Sequence, residues 1–276
     1  MSTILVTGAS GFIGKALATA LAPRHDVVCM SRSRPKVDLP WIRGDFASFE
    51  DLRQLATQHI DAVVHLAAVT GGCLERDGVL VNAEGTRCLM RYLIDQGCTK
   101  FVMASSIALV GAQSVAFRPL QLPIADDHPC LDRDGYGFSK HLMEQIAHYY
   151  FRQNPQLDII NLRLAAIVPD ENYPAPQGLR SLGEWAACSV TLMRLADAVR
   201  AFTLAVESPH RPGVRTMNAV CNRIWASVPT ADLLRHWWGN EVDLSYYELA
   251  EHRYGPVFDA GRIGGELGFT ASVPGS

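Results

Sequence analysis

Thr7 to Lys15 reads TGASGFIGK, a glycine-rich stretch between an apolar run, TILVT (3–7), and an amphipathic one, IGKALATALAPR (13–24). Two phosphate loops look like this. The nucleoside-triphosphate loop reads G-x-x-x-x-G-K-[ST], and Gly14-Lys15 supplies its G-K. That pattern also needs Gly at 9 and Ser or Thr at 16, where Ala9 and Ala16 stand, so no hydroxyl is placed to hold Mg²⁺. The dinucleotide spacing fits instead: Gly8, Gly11 and Gly14 stand three apart, as G-x-x-G-x-x-G. Strand, loop and helix in that order are the context this fingerprint needs. Gly8 permits the tight turn, Gly11 lets the backbone approach a pyrophosphate, and Gly14 lets the helix pack closely on the strand. The helix N-terminus then favours the anion through its free N–H groups and dipole. A glycine-rich turn without a ligand is the bland alternative.

Further short apolar runs follow: DVVCMS (26–31), WIRGD (41–45), DAVVHLAA (61–68), KFVMASS (100–106) and LDIINLRLA (157–165). Amphipathic stretches alternate with them at 49–59, roughly 74–97 and 136–153. This alternation predicts an α/β fold, a doubly wound parallel sheet with helices on both faces. Ligands of such folds bind beyond the carboxyl ends of the strands, which places the glycine loop, Ala67-Ala68 and Ser105-Ser106 on one rim. After residue 165 the pattern changes. VPDENYPAPQG (168–178) is a loop, the second part of 192–207 is helical, 215–220 is a last strand, and 230–239 and 258–269 are short helices. The expectation is a dinucleotide-binding domain over 1–165 and a small C-terminal substrate lobe over 166–276, partly interleaved with the sheet.

Composition removes other classes. The net charge is −3 and no basic run of five occurs, so neither nucleic acid nor a membrane surface is the expected partner. The seven cysteines are odd in number and contain no C-x-x-C, which argues against a disulfide framework or a zinc site. A reducing, cytoplasmic location without a metal is the simpler expectation. The opening MSTILVTGAS lacks a basic n-region and reads as a strand, and no apolar run approaches the ~20 residues of a membrane span. No G-x-S-x-G marks a serine hydrolase. His65, in an apolar strand, reads as a satisfied core histidine, and Met30, Met90, Met103 and Met143 read as core.

An NAD site usually carries an acid at the end of the second strand. Here that place reads MSRSRP. Ser31 and Arg32 stand where an Asp would, and Arg32, helped by Ser31, Ser33 or Arg34, suits a 2′-phosphate. NADP is therefore favoured over NAD, against the plain reading of Arg32 as a solvated surface charge. Asp45 is either an acceptor for the adenine amino group or a turn residue. Farther on, YGFSK sets Tyr136 and Lys140 four apart, on one helix face. An ammonium beside a phenol favours phenolate, so the pair suits general acid/base work. A surface Lys and a half-buried Tyr are the alternative. Ser106, just beyond an apolar strand, suits orienting the substrate oxygen.

These elements together resemble the extended short-chain dehydrogenase/reductase family, also called the NAD-dependent epimerase/dehydratase family. The matching stretches are TGASGFIG, GDF, HLAA (65–68), VNAEGT (81–86), ASSIALVG (104–111), YGFSK, RLAAIVP (163–169), LADAVRAF (195–202) and ELGF (266–269). The resemblance implies a Rossmann-type sheet and a catalytic Ser106-Tyr136-Lys140 set, with Lys140 also holding the nicotinamide ribose. It implies a cofactor lying along Gly8, Ser10, Gly11, Phe12, Ile13, Gly14, Ser31, Arg32, Asp45, Phe46, Leu66, Ala67, Ala68 and Asn82. It also implies a homodimer through the helices at 84–97 and 136–153.

Departures from the family pattern narrow the function. The acid after strand two is missing, and the usual Tyr-Gly-Pro is reduced to Val168-Pro169-Asp170. The stretch from Arg163 to Asp197 is short, leaving little chain to enclose a nucleotide diphosphate, so a small substrate is favoured. The loop DENYPAPQGLRSLGEW loosely resembles that of sugar-acid dehydrogenases. Asn172, Tyr173, Arg180 and Trp185, with Ser105 and Ser106, are the substrate-side candidates. The expected activity is NAD(P)-dependent hydride transfer to or from a small sugar, sugar acid or similar compound. The alternatives are a nucleotide-sugar epimerase with no net redox and a non-catalytic NADP sensor.

Overall fold

The computed structural model describes residues 1–272, the side chains at 188 and 189 excepted. The first part of the chain runs β1 (Thr3–Thr7), α1 (Phe12–Leu21), β2 (Asp26–Ser31), β3 (Trp41–Arg43), α2 (Phe49–Leu52), β4 (Ala62–His65), α3 (Glu75–Asp77), α4 (Gly85–Asp95), β5 (Lys100–Ser106), α5 (Gly135–Gln153) and β6 (Asp158–Leu164). The second runs β7 (Ala166–Val168), α6 (Leu179–Leu182), α7 (Ala187–Val190), β8 (Leu192–Arg194), α8 (Leu195–Glu207), β9 (Gly213–Ala219) and α9 (Thr230–Trp238), followed by α10 (Ser245–Glu248) and α11 (Gly261–Leu267).

Seven strands form one parallel, Rossmann-like sheet in the order β3-β2-β1-β4-β5-β6-β9, and β7 pairs with β8 in a small second sheet. The central strands are apolar throughout because both faces are covered: every residue of β4, β5 and β6 is buried. Pairing puts Thr7 beside His65 and His65 beside Met103. The strands β1, β4 and β5 therefore end at one level. One side of the sheet is packed by Leu89, Met90, Leu93, Met143, Ala147 and Tyr150 from α4 and α5. Met30, Met90, Met103 and Met143 all lie in this core, as the sequence suggests.

The helical region expected at roughly 74–97 is present as an unbroken run from Glu75 to Asp95, with a π-helical stretch at Gly78–Glu84 between α3 and α4. This irregular stretch is where α5 comes closest. A Cβ on Gly78 would lie 2.6 Å from the Gly135 carbonyl, and one on Gly135 would lie 2.6 Å from the Glu75 backbone nitrogen. The helix predicted at 49–59 stops at Leu52 with a 3₁₀ turn over Arg53–Leu55. Strands β7 and β8, three residues each, are too short to show a period.

The chain divides into two compact units whose segments interleave more deeply than a break at 165. The first holds 1–105, 134–162 and 199–215; the second holds 106–133, 163–198 and 216 onward. The chain passes into the second unit near the carboxyl ends of β5 and β6 and within β9. In the second unit, Phe117 stacks on Trp185 at 6.1 Å between centroids, and Trp237 and Trp238 lie 5.3 and 4.7 Å from Trp185.

Candidate active site

The glycine loop is held by close backbone approach. Gly8 has φ +68°, donates its N–H to the Met30 carbonyl at 3.0 Å, and leaves no room for a side chain: a Cβ would lie 2.8 Å from the Ala67 nitrogen. A Cβ on Gly14 would collide with the Gly8 carbonyl oxygen, so Gly14 sets the approach of α1 to the loop itself. Helix α1 starts at Phe12 with no side-chain cap and no acid in its first turn, while Ser10, Gly11 and Phe12 are exposed. This cradle fits a pyrophosphate bound by backbone N–H groups.

Beneath the rim runs a directed chain of buried bonds. The Thr7 hydroxyl accepts from the Leu66 and Ala67 N–H groups at 3.2 and 3.3 Å, so its own proton goes to His65 Nδ1 at 2.7 Å. His65 Nε2 then donates to Thr86 Oγ1 at 3.1 Å, and Thr86 donates to the Asn82 carbonyl at 2.5 Å. Burial pushes the His65 pKa down to about 3, with the Lys140 charge adding to the effect. His65 is thus a neutral core histidine, as the sequence suggests, and its network fixes the Leu66–Ala67 backbone. Asn82, predicted along the cofactor, is fully buried. Its amide accepts from Val69 N at 2.8 Å and donates to the Val69 carbonyl and to Ser139 Oγ, both at 2.9 Å. Its side chain therefore pins the 66–69 loop to α5.

Helix α5 opens at Asp134, whose Oδ1 accepts from the Tyr136 and Gly137 N–H groups at 3.0 and 2.9 Å. Ser139 Oγ donates to the Tyr136 carbonyl at 2.8 Å. Tyr136 is half-buried, and the Lys140 Nζ lies 5.7 Å from its ring centroid. Lys140 is buried and donates to the Ala104 carbonyl at 2.7 Å. Burial pushes its pKa down to about 8, against the pull of Glu144 and Cys73. Ser105, a substrate-side candidate, is buried with its hydroxyl donating to Glu144 Oε1 at 2.6 Å.

At the end of β2, the Ser31 hydroxyl donates to the Ser33 carbonyl at 2.8 Å and accepts from Trp41 Nε1 at 3.1 Å. Ser31 is buried, and Arg32 and Arg34 are exposed there. Asp45 Oδ1 accepts from Ala47 N at 2.9 Å, the turn role the sequence left open. The Phe46 ring is core: it meets His65 edge-on at 4.9 Å.

In the second unit, Ser106 Oγ accepts from Ala108 N at 3.2 Å and keeps its own proton to donate. Trp185 departs from its expected role. It is 3% exposed, and its Nε1 donates to the Ala112 carbonyl at 3.0 Å within the aromatic cluster. The Tyr173 hydroxyl donates to the Leu192 carbonyl at 3.0 Å, and its ring meets Trp225 edge-on at 4.5 Å. Tyr173 and Trp225 line a cavity of about 140 Å³ with Cys221, Asn222 and Arg223, and the buried Trp225 Nε1 has no hydrogen-bond partner. Asn172 and Arg180 are exposed. Sequence reasoning missed Asp134, Ser139, Glu144 and this cavity. A helix start signal before YGFSK, an Asp at the N-cap position, could have found the first.

A glycine cradle after β1 and a buried Lys one turn from a Tyr define a class, the NAD(P)-dependent enzymes of the short-chain dehydrogenase/reductase type. The chain belongs to the NAD-dependent epimerase/dehydratase family, whose model matches residues 4–178. It is 27% identical to an uncharacterized protein of Bacillus subtilis over 77% of this chain and 84% of that one. It is 27% identical to a UDP-glucose 4-epimerase of Halalkalibacterium halodurans, covering 53% of this chain and 45% of that one. The chain spans about half the length of the curated epimerases it matches. A short-chain dehydrogenase/reductase superfamily protein of Agrobacterium tumefaciens, solved with NAD bound, shares the fold at TM-score 0.74 and 21% identity, over 98% of this chain and 93% of that one. Among the described residues, no helix is long and apolar enough to cross a membrane.

Proposed function

We propose that the protein is an NAD(P)-dependent oxidoreductase acting at a hydroxyl or carbonyl carbon of a small sugar, sugar acid or similar compound. The observation that carries this reading is the buried Lys140 ammonium, fixed to the end of β5 and 5.7 Å from the Tyr136 ring. When bound, the nicotinamide dinucleotide supplies the hydride acceptor or donor. The chain's own residues do the rest. Gly8, Gly11, Gly14 and the first turn of α1 take the pyrophosphate. Tyr136 exchanges a proton with the substrate oxygen, and the ammonium beside it favours phenolate. The Ser106 hydroxyl donates to that oxygen. On the substrate side, Asn172 and Arg180 remain candidates, Arg180 for a carboxylate. Arg32 favours NADP. The protein works in the cytoplasm as a homodimer through the helices at 84–97 and 136–153.

The test is absorbance at the reduced-nicotinamide band, with NADP⁺ or NAD⁺ and a panel of aldoses, uronates and secondary alcohols. A rising signal that disappears in Tyr136→Phe is expected. Silence across the panel sinks the small-sugar dehydrogenase. The likeness to epimerases supports a second reading, a nucleotide-sugar epimerase, which would then be pursued by searching for isomerised nucleotide sugars.

A further inference from the structure

Two consecutive residues at the end of β5 are tied to two residues one turn apart on α5. Ala104 receives the Lys140 ammonium at 2.7 Å, and Ser105 gives its hydroxyl to Glu144 at 2.6 Å. Ser105, Lys140 and Glu144 are 3%, 3% and 4% exposed. A carboxylate at this depth is costly to keep, and an apolar side chain would fill the same space more cheaply. The hydroxyl bond is of the short kind given to a charged acceptor. The spacing of four puts the carboxylate on the same helix face as the ammonium.

The groups around Lys140 can be named. Tyr136 and Glu144 face it from α5, Cys73 from the loop before α3, and His65 from β4. His65 stays neutral, so Glu144 is the carboxylate in this set.

We propose that Glu144 is a positioning residue for the Tyr136–Lys140 pair: it locks α5 to the end of β5 through Ser105 and sets a negative charge beside the buried ammonium. This rests on the assignment of Tyr136 and Lys140 above. Burial already brings Lys140 down to about 8 while Glu144 opposes the shift. Without Glu144 the effect of burial would be less opposed, Lys140 would hold its proton less firmly, and Tyr136 would lose part of the charge that favours its phenolate.

The experiment is a tyrosinate absorbance titration of the free protein, each form corrected by subtracting its own Tyr136→Phe version. Glu144→Gln removes the charge and keeps a carbonyl to accept from Ser105. The expected result is a Tyr136 ionisation midpoint raised by about one pH unit, a tenfold loss of phenolate at fixed pH. A bystander carboxylate would act the other way, because removing a nearby negative charge eases ionisation. A midpoint unchanged or lowered in the folded variant overturns the proposal. If Glu144→Gln does not fold by circular dichroism, Ser105→Ala keeps the charge and cuts the tie. It should raise the midpoint by a smaller amount, with Ser105→Thr restoring it, and an unchanged midpoint in Ser105→Ala overturns the proposal. The titration uses neither substrate nor cofactor, so its failure is separate from an empty substrate panel.

Discussion

The first unit buries polar side chains in pairs, while in the second the expected substrate-side groups Asn172 and Arg180 lie on the surface and Trp185 packs among aromatic rings. Thr7, His65 and Thr86 form one line of bonds, Asn82 joins Val69 to Ser139, and Ser105 meets Glu144. Under the proposed function, the difference matches two tasks. A reaction centre gains from groups held before the ligand arrives, because no reorganisation is then needed during the reaction. Specificity is read by loops, which tolerate change without disturbing a core.

Lys140→Met tests the first half of this comparison most severely. Activity should fall by about 10²- to 10⁴-fold, the usual range for losing acid/base function. Stability should move the other way. The Lys140 pKa falls from 10.5 to about 8 on folding. Below about 8 the folded protein carries the full cost of a buried charge, and that cost fades as pH rises to 10.5. Met carries no charge, so its Tm at pH 7 should exceed that of the parent, and the gap should narrow by pH 10. A lower Tm at pH 7 would mean that the ammonium is chiefly a structural tie, and the contrast would break.

Trp185→Ala probes the second unit. A Trp 3% exposed, bonded to Ala112 and packed on Phe117 and Trp238, should cost about 3–5 kcal/mol when truncated. Denaturant unfolding measures this, and KM for any turned-over substrate should be unchanged in the folded fraction. A selective rise in KM at unchanged stability would restore Trp185 to the substrate side.

What could be read from the sequence follows the same division. Backbone demands are visible in the chain: Gly8 and Gly14 occupy places no other residue fits, and the apolar runs of β4 and β5 announce burial on both faces. A helical spacing of four also made Tyr136 and Lys140 visible. Partners brought together across the fold were not. Ser105 and Glu144 are 39 positions apart, and nothing local says that one accepts a hydrogen bond from the other. Ser105 and Trp185 have side chains fit for a substrate, and tertiary packing engaged both elsewhere. The protein partners of the Asn82 amide, Val69 and Ser139, are likewise invisible in the local sequence.

Arg32 and Ser31 give the smallest predicted effect and the finest version of the comparison, because the two neighbours at the end of β2 differ in the same way as the two units. Ser31 is buried, with its proton on Ser33 and its oxygen receiving Trp41; Arg32 is exposed. If NADP is the preferred cofactor, the free guanidinium is the group that meets the 2′-phosphate. A hydrogen bond to a charged group contributes about 1.5–3 kcal/mol, so Arg32→Ala should weaken NADP⁺ binding by roughly 10- to 100-fold. NAD⁺ lacks that phosphate, and its Kd should stay within about twofold in the same titration. Ser31→Ala should leave the ratio of the two affinities unchanged, since its hydroxyl is already held inside. Equal losses of NAD⁺ and NADP⁺ in Arg32→Ala would show that this arginine shapes the loop without reading the cofactor.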